Sequence, residues 1–326
     1  MKNYNGINTK ICLVLILLVA TLGQGWAQEI FPNKPVKIIV SWEPGGGMDL
    51  NARTLQPLVE KNLGQPVVIV NKPGAAGTIG FTEGAKALPD GYTVTLVNTS
   101  ISTTPYLVSP TISYRNYEPI IFTGIVPGAV TVRLEAPWKS LKEFFDYARA
   151  NPGKIRMSNA GHGSSTHIRT VGIELTGGVR FTHVPYKGSG PALTSLVGGH
   201  VEGTAAAIAE TIHLAKGGGR LRVLAITAAE RMPAIPDVPT FKELGMDFEN
   251  GGWHSYAVPK GTPKERIKIL HDAFKKAMES REYIEYANNQ AVMAIYLGPE
   301  DLLKFWDKEE KAWFKLIEAA GLKKAQ

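Results

Sequence analysis

Two stretches of this chain place small, hydrogen-bonding residues where backbone amides can meet an anion. Pro44-Gly45-Gly46-Gly47 follows the apolar run Val36 to Val40, and Met48 and Asp49 open a helical pattern directly after it. Asn159 to Ser165, which contains Gly161, His162, Gly163 and Ser164, likewise joins Ile155–Ser158 to a helical pattern through Glu174. The start of a helix offers unpaired N–H groups and a partial positive charge, which suit a carboxylate or a phosphate. Glycines remove side chains so that backbone can approach a ligand, and Ser164, Ser165 and Thr166 add hydroxyl donors. Two tight turns with helix caps and no ligand fit the spacing equally well. A second chemistry is open to the same residues: Ser164 or Ser165 beside His162 could serve an exported serine hydrolase. No Gly-x-Ser-x-Gly elbow accompanies them, and no carboxylate stands ready to orient the imidazole.

Other templates are missing. The chain has no Gly-x-x-x-x-Gly-Lys-Ser/Thr loop, no Gly-x-Gly-x-x-Gly after the first strand and no His-Glu-x-x-His. His162 and His167 are five apart, a poor spacing for two ligands on one helical face. No metal and no cofactor are therefore expected. Glu309 and Glu310 read as part of a solvated helix face.

The elements around these loops alternate. Val36–Val40, Val67–Val70 and Tyr92–Val97 read as strands, with helices from Asp49 and from Ile79 to Ala87 between them. The pattern then repeats. Ser140-Leu-Lys-Glu143 is a capping box, Ile155–Ser158 and Phe181–Pro185 are strands, and a helix starts near Gly188. Val201–Ile208 and Leu221–Ile226 also read as strands, and Ile120–Arg133 and Gly252–Val258 as extended segments. Thr262-Pro-Lys-Glu265 combines a capping box with proline at the first helical position. Leu302, Trp306, Trp313 and Ile317 then share one face of a final helix, as core. Such alternation predicts an α/β protein with parallel sheets covered on both faces.

The amino end reads as an export signal. Lys2 and Lys10 precede the uncharged run Ile11–Ala20, and Gly25-Trp26-Ala27 sets small residues at a cleavage site. Cleavage after Ala27 shortens 326 residues to 299 and removes Cys12, the chain's single cysteine, which excludes disulfides and thiol chemistry. The net charge of +7 falls to +5 with the loss of Lys2 and Lys10, and no dense basic run supports nucleic-acid binding. The expected product is a soluble periplasmic protein, monomeric, with no other stretch apolar enough to cross a bilayer.

A long series of motifs then carries a resemblance. In order they are Lys34-Pro-Val-Lys-Ile-Ile-Val40, Pro44-Gly-Gly-Gly-Met-Asp49, Leu63-Gly-Gln-Pro-Val-Val68, Asn71-Lys-Pro-Gly-Ala-Ala-Gly77 and Pro89-Asp-Gly-Tyr-Thr93. Gly163-Ser-Ser-Thr-His167, His183-Val-Pro-Tyr-Lys-Gly188, Pro191 to Gly199, Leu221 to Thr227, Ile235-Pro-Asp-Val-Pro-Thr240 and Pro259-Lys-Gly-Thr-Pro263 follow. The chain resembles the substrate-binding proteins of tripartite tricarboxylate transporters, the Bug-type receptors.

The resemblance implies a two-lobed periplasmic-binding-protein fold of the type II, flytrap kind with two hinge strands. Lobe 1 would comprise residues 28–128 and 253–326, and lobe 2 residues 129–252. A small carboxylate would be captured between them and delivered to the membrane permease subunits of the transporter, without catalysis. The family's ligand loops match Trp42 to Asp49, with Gly46, Gly47 and Met48, and Gly161 to His167, with Gly163, Ser164 and Ser165. Thr99 and Ser100 fit a cleft-lining step, and Tyr186 follows a lobe-2 strand. Capping for Asp49, a structural place for His167 and packing for Tyr186 are open alternatives. Three departures stand out. Met48 replaces the usual Thr, Trp42 and Glu43 replace Phe and a small residue or Pro, and Thr204 to Ile208, with Ala207, lacks an Asp that many members carry. These changes point away from amino acids and toward an aromatic or branched carboxylate.

Overall fold

The computed structural model describes residues 30–45, 47–186 and 188–322; the export-signal reading and the cleavage site lie outside them. Apolar runs build two five-stranded sheets. The first contains β1 (Val36–Val40), β2 (Val67–Asn71), β3 (Thr93–Asn98), β4 (Tyr117–Pro127) and β10 (Gly251–Pro259), in the order β2-β1-β3-β10-β4. The second contains β5 (Ala129–Arg133), β6 (Arg156–Asn159), β7 (Thr182–Pro185), β8 (Gly203–Thr204) and β9 (Leu221–Ile226), in the order β7-β6-β8-β5-β9. The two orders are alike: three parallel strands come first, then one antiparallel strand, then a fifth.

The antiparallel members are a departure from the all-parallel expectation. β10 returns to the first sheet from the second, and β5 enters the second directly after β4, so each runs against its parallel neighbours. β4 and β5 are separated by Gly128 alone, and the return passes through Asn250. At this double crossing Gly128 N–H donates to Asn250 O at 3.1 Å, and Asn250 N–H donates to Thr227 O at 3.1 Å. Thr227 Oγ1 in turn donates to Gly128 O at 3.2 Å and to Asn250 O.

Helices cover the sheets: α1 (Gly47–Leu63), α2 (Thr78–Ala85), α3 (Ser100–Leu107), α4 (Leu141–Ala150), α5 (Ser165–Gly177), α6 (Ser189–Val197), α7 (Ile208–Ala215), α8 (Lys264–Met278), α9 (Arg281–Asn289) and α10 (Pro299–Ala319). Among the described residues no helix is long and apolar enough to cross a membrane. α3 has no helical signature in the sequence, because hydroxyl and β-branched residues and Pro105 fill it. Packing of Ile101 against Val97, Trp253 and Trp306 overrides that weak propensity.

Three further expectations are corrected. The strand over Val201–Ile208 shrinks to β8, and α7 has begun by Ile208. The alanine run between them has no β-branched side chains to favour a strand. At α8, Thr262 Oγ1 turns back to donate to Pro259 O at 2.8 Å, and Pro263 is the cap residue itself, so no capping box forms. Glu309 and Glu310 are not a solvated pair. Glu309 accepts from both Trp253 Nε1 and Trp313 Nε1 at 3.1 Å, and buried Glu310 meets Arg115 Nη2 at 2.7 Å. Trp253 of β10 and Trp313 of α10 thus hold the first carboxylate, and Arg115 the second. Trp306 packs beneath the first sheet, while Trp313 and Ile317 pack on Ile168 of α5, so α10 touches elements of both sheets.

Candidate functional site

A cavity of about 720 Å³ opens between the sheets. Five helices begin at its wall, each following the carboxyl end of a strand: α1 after β1, α3 after β3, α5 after β6, α6 after β7 and α7 after β8. This is where open α/β sheets hold ligands. The N–H groups and partial positive charges of these helix starts point toward a common space.

On the first sheet, Trp42, Gly47 and Met48 line the cavity, and Trp42 and Met48 also rest on the apolar core below. Gly46 lies outside the described residues. Asp49 is not on the wall. It is 1% exposed beneath the loop, where Oδ2 accepts from Gly45 N–H at 2.9 Å and Arg53 Nε at 2.8 Å, and Oδ1 accepts from Asn71 Nδ2 at 2.9 Å. Burial pushes this carboxyl up, but the donors Arg53, Gly45 and Asn71 outweigh it and hold it below the usual range. Asp49 thus fastens a loop that turns at Gly45, whose φ of +83° is open to glycine at no cost. Thr99 and Ser100 are on the wall. The Thr99 hydroxyl is engaged on the crossing strand, accepting from Trp253 N–H at 3.0 Å.

On the second sheet, Ser165 and Ala207 line the cavity; Gly163, Ser164, His167 and Tyr186 lie outside its wall. Ser164 caps α5, its Oγ accepting from His167 N–H at 3.2 Å and pairing with Thr166 Oγ1 at 3.0 Å. His167 Nδ1 accepts from Gly163 N–H at 3.1 Å, which fixes this nitrogen as unprotonated. Burial, and after it the neighbouring His183 and His162, lower the His167 pKa to about 4. These contacts hold the loop closed from behind. The Tyr186 hydroxyl pairs with Ser195 Oγ, and its ring packs near Leu196 and Val201. Of the two serines considered for nucleophilic chemistry, Ser164 is therefore a helix cap and Ser165 lies on the wall, while the His162 ring lies against His167 with centroids 5.0 Å apart. The hydrolase reading is not supported.

Several wall residues were not foreseen. Arg169 lies one turn after Ser165, on the same face of α5. It is 2% exposed and still reaches the cavity wall. Nε donates to Asn250 Oδ1 at 2.9 Å and Nη1 to Ala205 O at 2.7 Å. Burial lowers its pKa to about 10, so it stays charged at neutral pH. Glu210, in the first turn of α7, faces the same space. Burial raises its carboxyl, while Ser189 and Arg169 pull it back. Thr204 to Ile208 carries no Asp, yet Glu210, two residues on, brings an acid to the same wall. The sequence signal for Arg169 was its i+4 spacing from Ser165; Glu210 was hidden by the strand assigned to Val201–Ile208. His254 of β10 is also on the wall, 2% exposed, with both ring nitrogens buried and without a hydrogen-bond partner. Burial alone lowers its pKa to about 4. Val126, Tyr286 and Val292 add apolar surface.

Residues 51–322 match the model of the tripartite tricarboxylate transporter family receptor. The chain belongs to this family. The receptor is 33% identical over 316 residues, 95% of its length and 94% of the relative's, to a Cupriavidus necator protein named as the UPF0065 protein in the gbd 5′ region. It superposes with a TM-score of 0.79 on a TctC solute-binding protein from Polaromonas, at 33% identity, covering 88% of the receptor and 99% of that chain. A Rhodopseudomonas palustris structure with adipate gives a TM-score of 0.77 at 29% identity, covering 90% and 99%. The two-lobed binding-protein fold, the family and its solute-binding role thus rest on the sheets, the motifs and these likenesses together.

Proposed function

We propose that this receptor is exported to the periplasm, its leader removed near Ala27, and closes on a small carboxylate with an apolar body, aromatic or branched. Residues 28–128 and 253–326 form one lobe and residues 129–252 the other, and the closed form docks as a monomer on the permease subunits of the transporter. The observation that carries the reading is the ring of five helix starts, from both sheets, around one cavity. The R. palustris relative solved with adipate supports a carboxylate. Trp42, Met48, Tyr286 and Val292 support an apolar body. Donors on both lobes engage one ligand only when the lobes are closed, so the ligand binds the closed form better. Shifting a receptor from mostly open to mostly closed takes about 5 kcal/mol of such preference.

Thermal unfolding of the refolded, ligand-stripped receptor against citrate, dicarboxylates, aromatic acids, branched acids and amino acids tests this. Ligand at 100 times its dissociation constant adds about 2.7 kcal/mol, which is about 5 °C for a chain of this size. A shift for aromatic or branched acids is expected. A shift for amino acids alone would overturn the ligand class, and silence across the panel from folded protein would overturn the carboxylate reading.

A further inference from the structure

The charges on the cavity wall are unevenly matched. Among the described residues the wall carries one guanidinium, Arg169, and two carboxylates, Glu210 and Glu43. Arg169 is built into place. A Cβ on Gly128 would lie 2.2 Å from its Cδ and 2.3 Å from its Nε, so the glycine between the two crossing strands is the space that the side chain occupies. Asn250, at the other crossing, and Ala205 fix Nε and Nη1. Nη2 has no protein acceptor among the described residues, in a side chain that is otherwise held on all sides. A buried cation with one donor edge unspent fits one carboxylate. Glu210 lies in the same wall, close enough for its charge to act on Arg169. It repels any second carboxylate brought alongside the first.

The geometry points to Arg169 and Glu210 as a charge filter that admits solutes with a single carboxylate and rejects di- and tricarboxylates. Arg169 takes the carboxylate, the apolar wall takes the body, and Glu210 and Glu43 exclude further negative charge. This rests on the receptor reading above and narrows its ligand class.

Calorimetric titration of the ligand-stripped receptor at pH 7.5 and low salt tests it, with 3-phenylpropionate and 4-methylpentanoate set against adipate and citrate. At least one monoacid should bind 10-fold or more tightly than either polyacid, and 3-phenylpropionamide should bind at least 10-fold more weakly than its acid. Glu210→Gln changes a side chain open to the cavity and not a packed one. It should improve adipate binding by at least 3-fold more than it improves the monoacids. Arg169→Lys keeps a charge but loses the planar fork, and should weaken the better monoacid about 10-fold. Adipate or citrate outbinding both monoacids overturns the filter and leaves the carboxylate receptor standing; an amide equal to its acid overturns the filter and the carboxylate class with it. No acid binding to folded protein overturns both. An unchanged mono-to-polyacid ratio in Glu210→Gln removes Glu210 from the filter.

Discussion

The two glycine-rich junctions look alike in sequence and are built in opposite ways. At β1–α1 the polar group, Asp49, is turned under the loop and the apolar groups, Trp42 and Met48, face the cavity. At β6–α5 the hydroxyl and imidazole groups, Ser164 and His167, close the loop from behind, and a cation one turn later reaches the cavity. One junction thus supplies surface and the other supplies charge. In both, Asp49, Ser164 and His167, which look most reactive, hold the backbone, and the helix starts, Ser165 and one guanidinium face the solute space.

The largest effect should come from removing the fastener of the first junction. Asp49→Ala takes the acceptor from Gly45 N–H, leaves Asn71 Nδ2 with Trp42 O alone, and strips Arg53 of its carboxylate partner. Hydrogen bonds to charged groups contribute most of the loss, about 3 kcal/mol in all. Equilibrium urea unfolding measures it as a lower midpoint with unchanged slope. A loss below about 1 kcal/mol would mean that the loop is held by its packing and not by Asp49.

A second contrast lies between the two buried histidines. Each is lowered to about 4, but His254 is shifted by burial alone, whereas His167 also faces His183, His162 and, in the opposite sense, Glu174. A histidine whose folded pKa is depressed binds fewer protons folded than unfolded between about pH 4 and 6.5. Stability is therefore full above pH 6.5 and is lost as pH falls toward 4. For His254 alone the loss by pH 5 is about 2 kcal/mol. His254→Phe removes two unpartnered nitrogens, and should flatten this part of the stability profile between pH 7 and 5. A profile as steep as wild type would assign the acid sensitivity to the His167 cluster instead.

How much of this was legible follows from where each signal resides. Strand ends and glycine loops are local, so β1, β6 and the starts of α1 and α5 could be placed from the chain alone, whereas Trp42, Met48 and Thr99 were singled out by the family resemblance of the motifs around them. Arg169 depends on Gly128, Ala205 and Asn250, which are 36 to 81 residues away in the chain, and no local pattern joins them. His254 is silent for the same reason: its burial is set by the pairing of β10 with β3 and β4. The antiparallel crossings also belong to the return of the chain from one sheet to the other, which periodicity does not encode.

The caps offer a smaller test of the same contrast. Ser164→Ala should cost about 1 kcal/mol, the usual worth of a helix cap. It also loosens Thr166, whose Oγ1 accepts from Ala160 N–H at 2.9 Å. Since Ser164 is off the wall, solute affinity should fall by less than 3-fold, and calorimetry with a bound acid checks that separation. A loss of 30-fold or more would return Ser164 to the ligand's contacts and blur the division between surface and charge.

The smallest stability effect and the sharpest functional one belong to Met48. Its side chain is partly buried on the wall, above a core that Val40, Ala52 and Leu55 already fill. Met48→Thr removes apolar surface from the wall without opening that core, so unfolding should shift by less than about 0.5 kcal/mol. The solute loses contact with about two methylene-sized groups, and at about 0.8 kcal/mol each that is about a 10-fold weakening for an apolar acid. A small polar carboxylate that never touches the side chain should bind unchanged. Equal weakening for both would mean that residue 48 sets the loop's backbone and not the surface it presents, and the first junction would then supply amides in place of apolar surface.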